Sequence, residues 1–431
     1  MDLFVGDPCA PRAGYPLGVT PDAKGALLAC VRALLGCACA LGAVLGGPGC
    51  GARTELLGAR PRNDAAPPDA STADASDAGS TGKTDATLPD ALGAPDVSAA
   101  DATTCDGGLV ACATGCTDIR VDPDNCGRCG HGCCSATCSG GVCQPVAVAV
   151  ATGEDSPVGI TASDSHVYWT VVGNGGGPGS VMRAPAGGGP PTALATDQTS
   201  PDAIAIDTTS VYFIDDGVGV MSVPLAGGTV TVLASGPYGA AIGGLVVDAA
   251  TVYWADQGGA LLTVPIGGGP VTTRVPATAH QLGALAIDAT SLYWTIEGMH
   301  ADNGSVMKMP LAGGPATALV TMLASPQAIA VDGASVYFND YTSGTVSRVP
   351  LGGGAVAILA SGQTVPDGIA VDARFVYWAD DANTVMAVPI GGGQAIALAS
   401  GVPDTVGVAL SSNCVYWTSP QGGTVSVVAK P

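Results

Sequence analysis

The sequence has little positive charge, few histidines and almost no helical patterning. Lysine and arginine number 15 against 36 aspartate and glutamate residues, giving a net charge of −21. This balance argues against nucleic-acid binding, which needs clustered basic side chains, and it favours cationic partners or metal ions. Only four histidines are available for proton transfer or metal binding among 431 residues.

The familiar catalytic motifs are missing as well. The chain has no G-x-S-x-G, no H-E-x-x-H, and no Walker or Rossmann glycine pattern between a strand and a helix. Helical periodicity is essentially absent after residue 60, which excludes α/β barrels and the usual cofactor domains. The triple-glycine runs, such as 391–393, follow a strand end and lead into another strand, so turn chemistry explains them. We therefore expect no required cofactor.

Residues 1–50 have the pattern of an export segment. Arg32 precedes thirteen mostly apolar residues, 33–45, and small residues then lead to Cys50. The run is too short for a membrane-spanning helix. It resembles a bacterial lipoprotein signal with Cys50 as the lipidated residue, although Gly47 replaces the usual leucine. Translation is expected to start near Val31.

This resemblance implies an outer-membrane or cell-surface lipoprotein that touches the membrane only through its lipid anchor. Plain secretion is the alternative. Residues 51–104 are rich in Ala, Asp, Pro, Ser and Thr and have few large apolar side chains, so we expect a disordered linker.

Residues 105–144 form a cysteine-rich segment. Its most specific part reads N-C-G-R-C-G-H-G-C over residues 125–133, preceded by C-T-D at 116–118. This resembles the small module named after plant stigma-specific proteins. Nine cysteines in an exported chain favour disulfides, with zinc held by neighbouring cysteines or His131 as the alternative. The disulfide candidates are Cys105, Cys112, Cys116, Cys126, Cys129, Cys133, Cys134, Cys138 and Cys143.

An odd number of cysteines leaves one thiol over, or pairs it outside the module. Cys414 lies alone at the start of a predicted strand, and we expect it to be a buried free thiol.

Residues 145–431 repeat a unit of about forty residues seven times. Each unit contains an aromatic pair on a strand, flanked by three further strand patterns with turn residues between them. Four strands repeated seven times predict an all-β, seven-bladed β-propeller. Large aromatics at a regular period are expected to fill the spaces between blades. The second members of the pairs are Trp169, Phe213, Trp254, Trp294, Phe338, Trp378 and Trp417.

The two ends of the repeat predict ring closure. The last unit stops after its third strand at 425–428, and the missing fourth strand is found at 146–153, before the first unit. Pairing this N-terminal strand with the last blade would leave no large unpaired edge.

Four units read Tyr-aromatic-x-Asp, ending at Asp215, Asp256, Asp340 and Asp380. This resembles the YWTD repeat of lipoprotein-receptor propellers and the related NHL repeat. The resemblance implies a structural Asp that ties blades together. YWTD propellers usually have six blades, whereas seven anchors are present here.

Function is expected where the repeat is broken, at blade four. Its loop after the second strand is extended, and the preceding connection contributes a histidine, so His280, Glu297, His300 and Asp302 are predicted to meet on one rim. These residue types suit a divalent metal ion, and the first three suit acid–base catalysis. A solvated polar loop is the alternative. Glu154 and Asp155 form a second acidic pair on the equivalent loop into blade one.

The favoured interpretation is an exported, surface-tethered bacterial binding or scaffold protein. Its propeller would present loops to a protein, glycan or cell-wall ligand. One alternative is a propeller lyase or hydrolase with a metal-assisted site at blade four. The predicted rim resembles that of streptogramin B lyases, seven-bladed propellers with histidine, glutamate and magnesium on one face, but no lyase motif aligns with these positions and no catalytic residue is carried over. The other is a passive envelope component.

Overall fold

In the computed structural model, the described residues are 105 and 108–431, except 114, 131, 135–136, 145, 174–176, 237–243, 257, 278–279 and 299–302. The described secondary structure consists of strands and turns. Within this part of the chain, no helix is long and apolar enough to cross a membrane. The proposed lipidation residue, Cys50, lies outside the described residues.

The cysteine module contains two short antiparallel hairpins. Its strands are β1 (Val110–Cys112), β2 (Gly115–Thr117), β3 (Cys138–Ser139) and β4 (Val142–Cys143). Four disulfides hold this small segment together, because its apolar core is too small to do so alone. They join Cys105 to Cys116, Cys112 to Cys129, Cys126 to Cys138, and Cys133 to Cys143.

Seven four-stranded antiparallel sheets follow, which confirms the predicted seven-bladed propeller. Each blade contains strands A, B, C and D from the axis outwards. Blade one comprises β6 (Pro157–Ala162), β7 (His166–Val171), β8 (Gly179–Pro185) and β9 (Thr192–Gln198). Blade two comprises β10 (Pro201–Ile206), β11 (Ser210–Asp215), β12 (Gly219–Pro224) and β13 (Thr231–Ser235). Blade three comprises β14 (Leu245–Val247), β15 (Thr251–Ala255), β16 (Leu261–Pro265) and β17 (Thr272–Val275).

The next three blades repeat this order. Blade four comprises β18 (Leu282–Ile287), β19 (Ser291–Ile296), β20 (Gly304–Pro310) and β21 (Thr317–Leu323). Blade five comprises β22 (Pro326–Val331), β23 (Ser335–Asp340), β24 (Thr345–Pro350) and β25 (Ala357–Ser361). Blade six comprises β26 (Pro366–Val371), β27 (Phe375–Asp380), β28 (Thr384–Pro389) and β29 (Ile396–Ser400).

Blade seven is completed by a strand from the start of the propeller. Strands β30 (Val408–Leu410), β31 (Cys414–Ser419) and β32 (Thr424–Ala429) supply its A, B and C positions. Strand β5 (Val148–Thr152) pairs antiparallel with β32 and supplies the D position. The prediction of closure by an N-terminal strand is therefore confirmed.

The aromatic pairs hold neighbouring blades together. Adjacent residues of a strand point to opposite sides of the sheet, so each pair sends one ring to each side of its blade. Seven apolar clusters result, and each combines the tyrosine of one blade with the Trp or Phe of the next blade. The last cluster joins Tyr416 of blade seven to Trp169 of blade one. Each Trp or Phe of the seven pairs is at most 1% exposed.

The residue after the aromatic pair links the innermost strands of neighbouring blades. The hydroxyl of Thr170 accepts the N–H of Gly159 in its own blade and donates to the carbonyl of Asp202 in the next blade. Thr418 makes the same two bonds with Gly407 and Val158, across the point where the ring closes. The small residue at 159 is required, because a Cβ there would collide with the Asp202 carbonyl.

A fifth disulfide joins the cysteine module to the propeller. It pairs Cys134 with Cys414, whose Cα atoms are 5.9 Å apart. The expectation that Cys414 is a free thiol is wrong, because the module packs against blade seven and brings the one cysteine left over from its four internal disulfides to this strand. The Asn413 side chain also donates to the carbonyl of Gly130 at 3.2 Å. A cleft of about 690 Å³ lies between the two parts.

Candidate functional site

The meander of each blade gives the propeller two unlike faces. Antiparallel pairing places the D–A and B–C connections on one face, which we call the BC face. The A–B and C–D turns lie on the opposite face, the AB face. The A strands contact one another around the ring and therefore surround the axis. Loops carried by a rigid scaffold are the usual place for binding residues.

The propeller directs its basic side chains to the AB face. Residues 145–431 contain six Lys or Arg and twenty Asp or Glu. Four of the six donate to a carbonyl in the C–D turn of the following blade. These bonds are Lys308 to Leu351 at 2.9 Å, Arg348 to Ile390 at 2.8 Å, Arg183 to Leu225, and Arg274 to Leu311.

The other two basic residues lie on the same face. Arg374 occupies the A–B turn of blade six, where its guanidinium stacks 5.3 Å from the ring of Phe375. Lys430 follows the last C strand and pairs with Asp372 at 2.9 Å. Residues 145–431 therefore place no lysine or arginine on the BC face.

Acidic residues of the AB face are structurally engaged. In blades two to six, an Asp at the end of strand A accepts a hydrogen bond from the tyrosine of the aromatic pair. In blade two, Asp207 also accepts the N–H groups of Thr209 and Ser210, which closes the A–B turn. Burial acts to raise the pKa of Asp207, but these donors outweigh it and the pKa is lowered.

The BC face carries the larger acidic set, without basic neighbours. Some members are capped by main-chain N–H groups: Asp215 binds those of Thr199 and Ser200, and Asp340 binds those of Ala324 and Ser325. This agrees with the structural role that the YWTD resemblance implies. The described acidic residues of the face are Glu154, Asp155, Asp197, Asp202, Asp215, Asp216, Asp256, Glu297, Asp340, Asp367, Asp380, Asp381 and Asp404.

Asp202 and Asp216 meet at the axial end of blade two. Asp202 lies in the bulge at the start of β10, where the register with β11 shifts. Asp216 follows β11, and its N–H donates to the Ser200 carbonyl at 3.1 Å, beside the start of β10. The Oδ1 atom of Asp202 exposes less than 1 Å² and has no hydrogen-bond partner. Burial, with repulsion from Asp216, raises the pKa of Asp202 to about 7.

The sequence-predicted rim of blade four is described only in part. The N–H of Glu297 donates to the carbonyl of Gln281 at 3.0 Å, so Glu297 and His280 lie on neighbouring stretches of backbone. Burial raises the pKa of Glu297. His300 and Asp302 lie outside the described residues, and the proposed four-residue site stays a prediction.

The second acidic pair, Glu154 and Asp155, lies where β5 leads into β6. The N–H of Glu154 donates to the carbonyl of Gly423 in blade seven at 3.1 Å. Burial raises the pKa of the Glu154 carboxyl group. Both residues therefore lie on the BC face, beside the closure of the ring.

The zinc alternative for the cysteine module is not supported by its bonding. Sulfur atoms of Cys126, Cys133 and Cys143 lie within 4.8 Å of one another, but these cysteines belong to two disulfides. A disulfide sulfur is not the thiolate that binds zinc. In the described part of the chain, no other group of three His, Cys, Asp or Glu residues brings its ligand atoms this close.

Sequence reasoning missed the Asp202–Asp216 pair. The available signal was a second acidic residue directly after the Tyr-aromatic-x-Asp phrase, found at Asp216 and Asp381. An acidic second residue in strand A occurs in the same two blades, at Asp202 and Asp367. These coincidences would have pointed to the axial end of the BC face.

Comparison with known proteins shows the fold. No family model and no curated protein matches the sequence. A streptogramin B lyase structure aligns with a TM-score of 0.55 and 11% identity, over 65% of this chain and 96% of that one. The virginiamycin B lyase of Staphylococcus aureus, in a catalytically inactive form with quinupristin, aligns with a TM-score of 0.55 and 12% identity. This alignment covers 66% of this chain and 99% of that one.

BamB of Moraxella catarrhalis gives a TM-score of 0.45 and 17% identity, over 64% of this chain and 84% of that one. A TM-score this low carries no argument about this chain. The two lyase likenesses show a shared propeller architecture and nothing about activity.

Proposed function

We propose that this protein is an exported binding protein whose BC face presents a rigid acidic platform to a positively charged protein partner. The supporting observation is the separation of charge: all six basic residues of the propeller lie on the AB face, while thirteen described acidic residues lie on the BC face. A surface of one sign attracts partners of the opposite sign and raises their association rate.

The scaffold favours binding over large motion. Seven inter-blade aromatic clusters and the strand that closes blade seven hold the seven blades in fixed positions. A rigid surface loses little conformational entropy on association.

Export and surface tethering remain part of this proposal. Five disulfides within the described residues suit an oxidising compartment. Metabolic labelling with palmitate should mark the wild-type protein and not the Cys50→Ser variant. Labelling that survives this substitution would contradict anchoring at Cys50.

Binding of a basic protein probe tests the platform. Immobilised full-length protein should capture cytochrome c at about 0.01 M salt and release it at about 1 M, because the Debye length falls from roughly 30 Å to roughly 3 Å. The Asp216→Asn/Asp381→Asn variant should bind more weakly. A matched loss of two charges in the module, Asp118→Asn/Asp124→Asn, should have little effect.

Three outcomes would contradict the proposal. Equal binding by both double variants would show that the BC face is not the platform, and no binding at any salt concentration would favour a passive envelope component. Salt-insensitive capture of a neutral glycan would favour the glycan or cell-wall alternative. Zinc or magnesium binding that is lost in His280→Ala and Glu297→Ala would favour the metal-assisted lyase or hydrolase at blade four.

A further inference from the structure

One disulfide joins the cysteine module to the propeller and faces a cleft. Cys134 and Cys414 both line the space of about 690 Å³ between the module and blade seven, and they keep small exposed fractions of 5% and 7%. A disulfide is cleaved only where a thiolate reaches one of its sulfur atoms. The cleft gives a small thiol a route to this bond, whereas Cys126 and Cys133 inside the module are each only 1% exposed.

This disulfide does for strand β5 what a turn does for the outer strands of the other blades. In blades one to six, strand D continues from strand C through a C–D turn on the AB face. Strand β5 instead precedes blade one in the sequence, and it reaches β32 without such a turn. The last strand of the module, β4, ends at Cys143, shortly before β5 begins. The disulfide therefore anchors the AB end of β5 to blade seven in place of a C–D turn.

The other contacts of this segment hold it less firmly. Ala151 is the one buried residue of β5. The Asn413 side chain donates to the Gly130 carbonyl at 3.2 Å, but this bond is exposed and competes with water. The turn from β5 into β6 contains Gly153 and Ser156, with φ of 75° and 65°. A positive φ is uncommon for a residue with a side chain, so Ser156 is strained while β5 stays in place.

Strand β5 connects this anchor to the acidic face. It leads into Glu154, whose N–H donates to the carbonyl of Gly423 at 3.1 Å. This bond lies beside the pair Thr152–Thr424, at the end of the ladder that is remote from the disulfide. A change in the pairing of β5 therefore reaches the BC face, although the disulfide lies at the AB face.

From this arrangement we infer that the Cys134–Cys414 disulfide is a redox-sensitive latch, which a dithiol such as an exported thiol–disulfide oxidoreductase opens so that β5 can leave β32. One thiolate of the dithiol attacks a sulfur atom of the latch, which forms a mixed disulfide and releases the other cysteine as a thiolate that takes up a proton. The second thiol of the dithiol then displaces the remaining cysteine. The products are two protein thiols and an oxidised dithiol, so electrons and protons balance. This inference goes beyond the proposed function and does not depend on the partner of the BC face.

Hydrogen exchange of the full-length protein, followed by mass spectrometry, tests the latch. Amides of β5 should exchange about tenfold faster or more in the Cys134→Ser/Cys414→Ser variant than in wild type, because local opening governs their exchange. The matched control is Cys105→Ser/Cys116→Ser, which removes a more exposed disulfide within the module. Its β5 exchange should stay within about twofold of wild type. The D strand of blade five, β25, should exchange equally in all three proteins, because its own C–D turn still holds it.

Reduction of the wild-type protein tests the chemistry without a substitution. Dithiothreitol is the dithiol probe, free thiols are trapped with iodoacetamide, and peptide mapping identifies the alkylated cysteines. We expect Cys134 and Cys414 to be alkylated while Cys126 and Cys133 stay disulfide-bonded. The exchange of β5 amides should rise in step with alkylation of the latch, and reoxidation should restore their protection.

Three results would refute the latch. Unchanged β5 exchange in Cys134→Ser/Cys414→Ser, or an equal acceleration in the control variant, would show that this disulfide does not hold the closing strand. Faster exchange in β25 as well would show a loss of stability throughout the propeller instead of a local release. Alkylation of Cys134 only together with Cys126 would show that the dithiol reaches the bond only after the module unfolds.

Discussion

Two aspartates five residues apart in blade two show how nearby hydrogen-bond donors determine the pKa of a carboxyl group. Asp207 is held by Tyr212 and by the N–H groups of the A–B turn, and its pKa is lowered although burial acts to raise it. Asp202 lacks such donors, and burial with repulsion from Asp216 raises its pKa to about 7. The same residue type therefore stabilises the fold at one end of β10 and destabilises it at the other.

Asp202→Asn should stabilise the protein at alkaline pH. With a pKa near 7 when folded and near 3.8 when unfolded, the native state binds the proton more tightly, so wild-type stability falls as pH rises between these values. Asparagine avoids this loss. We expect the variant to gain roughly 1–4 kcal/mol at about pH 8 and almost nothing at about pH 3, measured by urea unfolding.

Asp207→Asn is the control of opposite sign. Because the pKa of Asp207 is lowered on folding, its contribution is present above pH 3.8 and is lost as pH falls. This variant should therefore be less stable than wild type at about pH 8. An Asp202→Asn variant that is also destabilised there would contradict the assignment of an unsatisfied carboxyl.

At the scale of elements, strand B has two packing roles. Because successive side chains of a strand face opposite ways, the tyrosine packs towards the following blade and the Trp or Phe towards the preceding one. Each blade is therefore stabilised by both neighbours, and a blade without its D strand would expose part of the layer it shares. In blade seven, β5 takes the D position and covers that layer. Its Ala151 is buried in the cluster with Tyr416 and Trp169.

Substitutions on the two sides of β5 test its role as the closing strand. Ala151 is 4% exposed and faces the apolar cluster, whereas Ala149 on the same strand is exposed. Ala151→Asp should cost about 3 kcal/mol or more of unfolding free energy, because it buries an unpaired charge. Ala149→Asp should change it by about 0.5 kcal/mol or less.

Deleting residues 145–152 should lower the melting temperature still further than Ala151→Asp does. Equal melting temperatures for the wild-type protein and the deletion variant would show that the ring does not depend on this strand.

At the scale of the whole molecule, the chain that precedes blade one is attached to blade seven twice. Strand β5 pairs with β32, and the disulfide between Cys134 and Cys414 closes a separation of 280 residues. The two attachments lie close together, since Cys414 belongs to the same cluster as Ala151. The cysteine module is thereby held against the AB face, opposite the acidic BC face.

Removal of this disulfide should weaken the protein without abolishing the propeller. The free energy of unfolding of the Cys134→Ser/Cys414→Ser variant should be lower than that of wild type by up to about 5 kcal/mol, because a long loop is no longer closed in the unfolded state. The Cys105→Ser/Cys116→Ser variant removes a disulfide that spans only 11 residues. Its free energy of unfolding should fall by less, about 3 kcal/mol. Thermal unfolding followed by circular dichroism compares the two, and a larger loss in the second variant would contradict this account.

The architecture could be predicted because each blade is specified by a sequence pattern within about forty residues, and that pattern is repeated seven times. The period of the aromatic pair determines the number of blades, and the missing last strand reappears at the N-terminal end as Val148–Thr152. Alternation of apolar and turn residues then determines the strand order A, B, C and D. These inferences need only contacts between residues close in the chain, plus one pairing between the two ends of the repeat.

The candidate sites depended on contacts that no local pattern shows. His280 and Glu297 were predicted to converge, and the structure places their backbones side by side, while two of their proposed partners lie outside the described residues. Cys414 was assigned a free thiol because its partner lies 280 residues away in a separate module. No local pattern distinguishes Asp202 from other strand residues, because its burial and its acidic neighbour come from the fold.

The sequence by itself determined the all-β class, the seven blades, their strand order and the closing strand, because a repeated hydrophobic pattern allows one ring arrangement that buries its aromatic pairs. Only the tertiary structure decided which face carries the charge and which carboxyl lacks a partner. The physical reason is that residues of other strands and blades either hydrogen-bond a polar side chain or leave it unbonded. The carbonyl of Ile390 bonds Arg348 in this way, whereas the buried Oδ1 of Asp202 accepts no hydrogen bond.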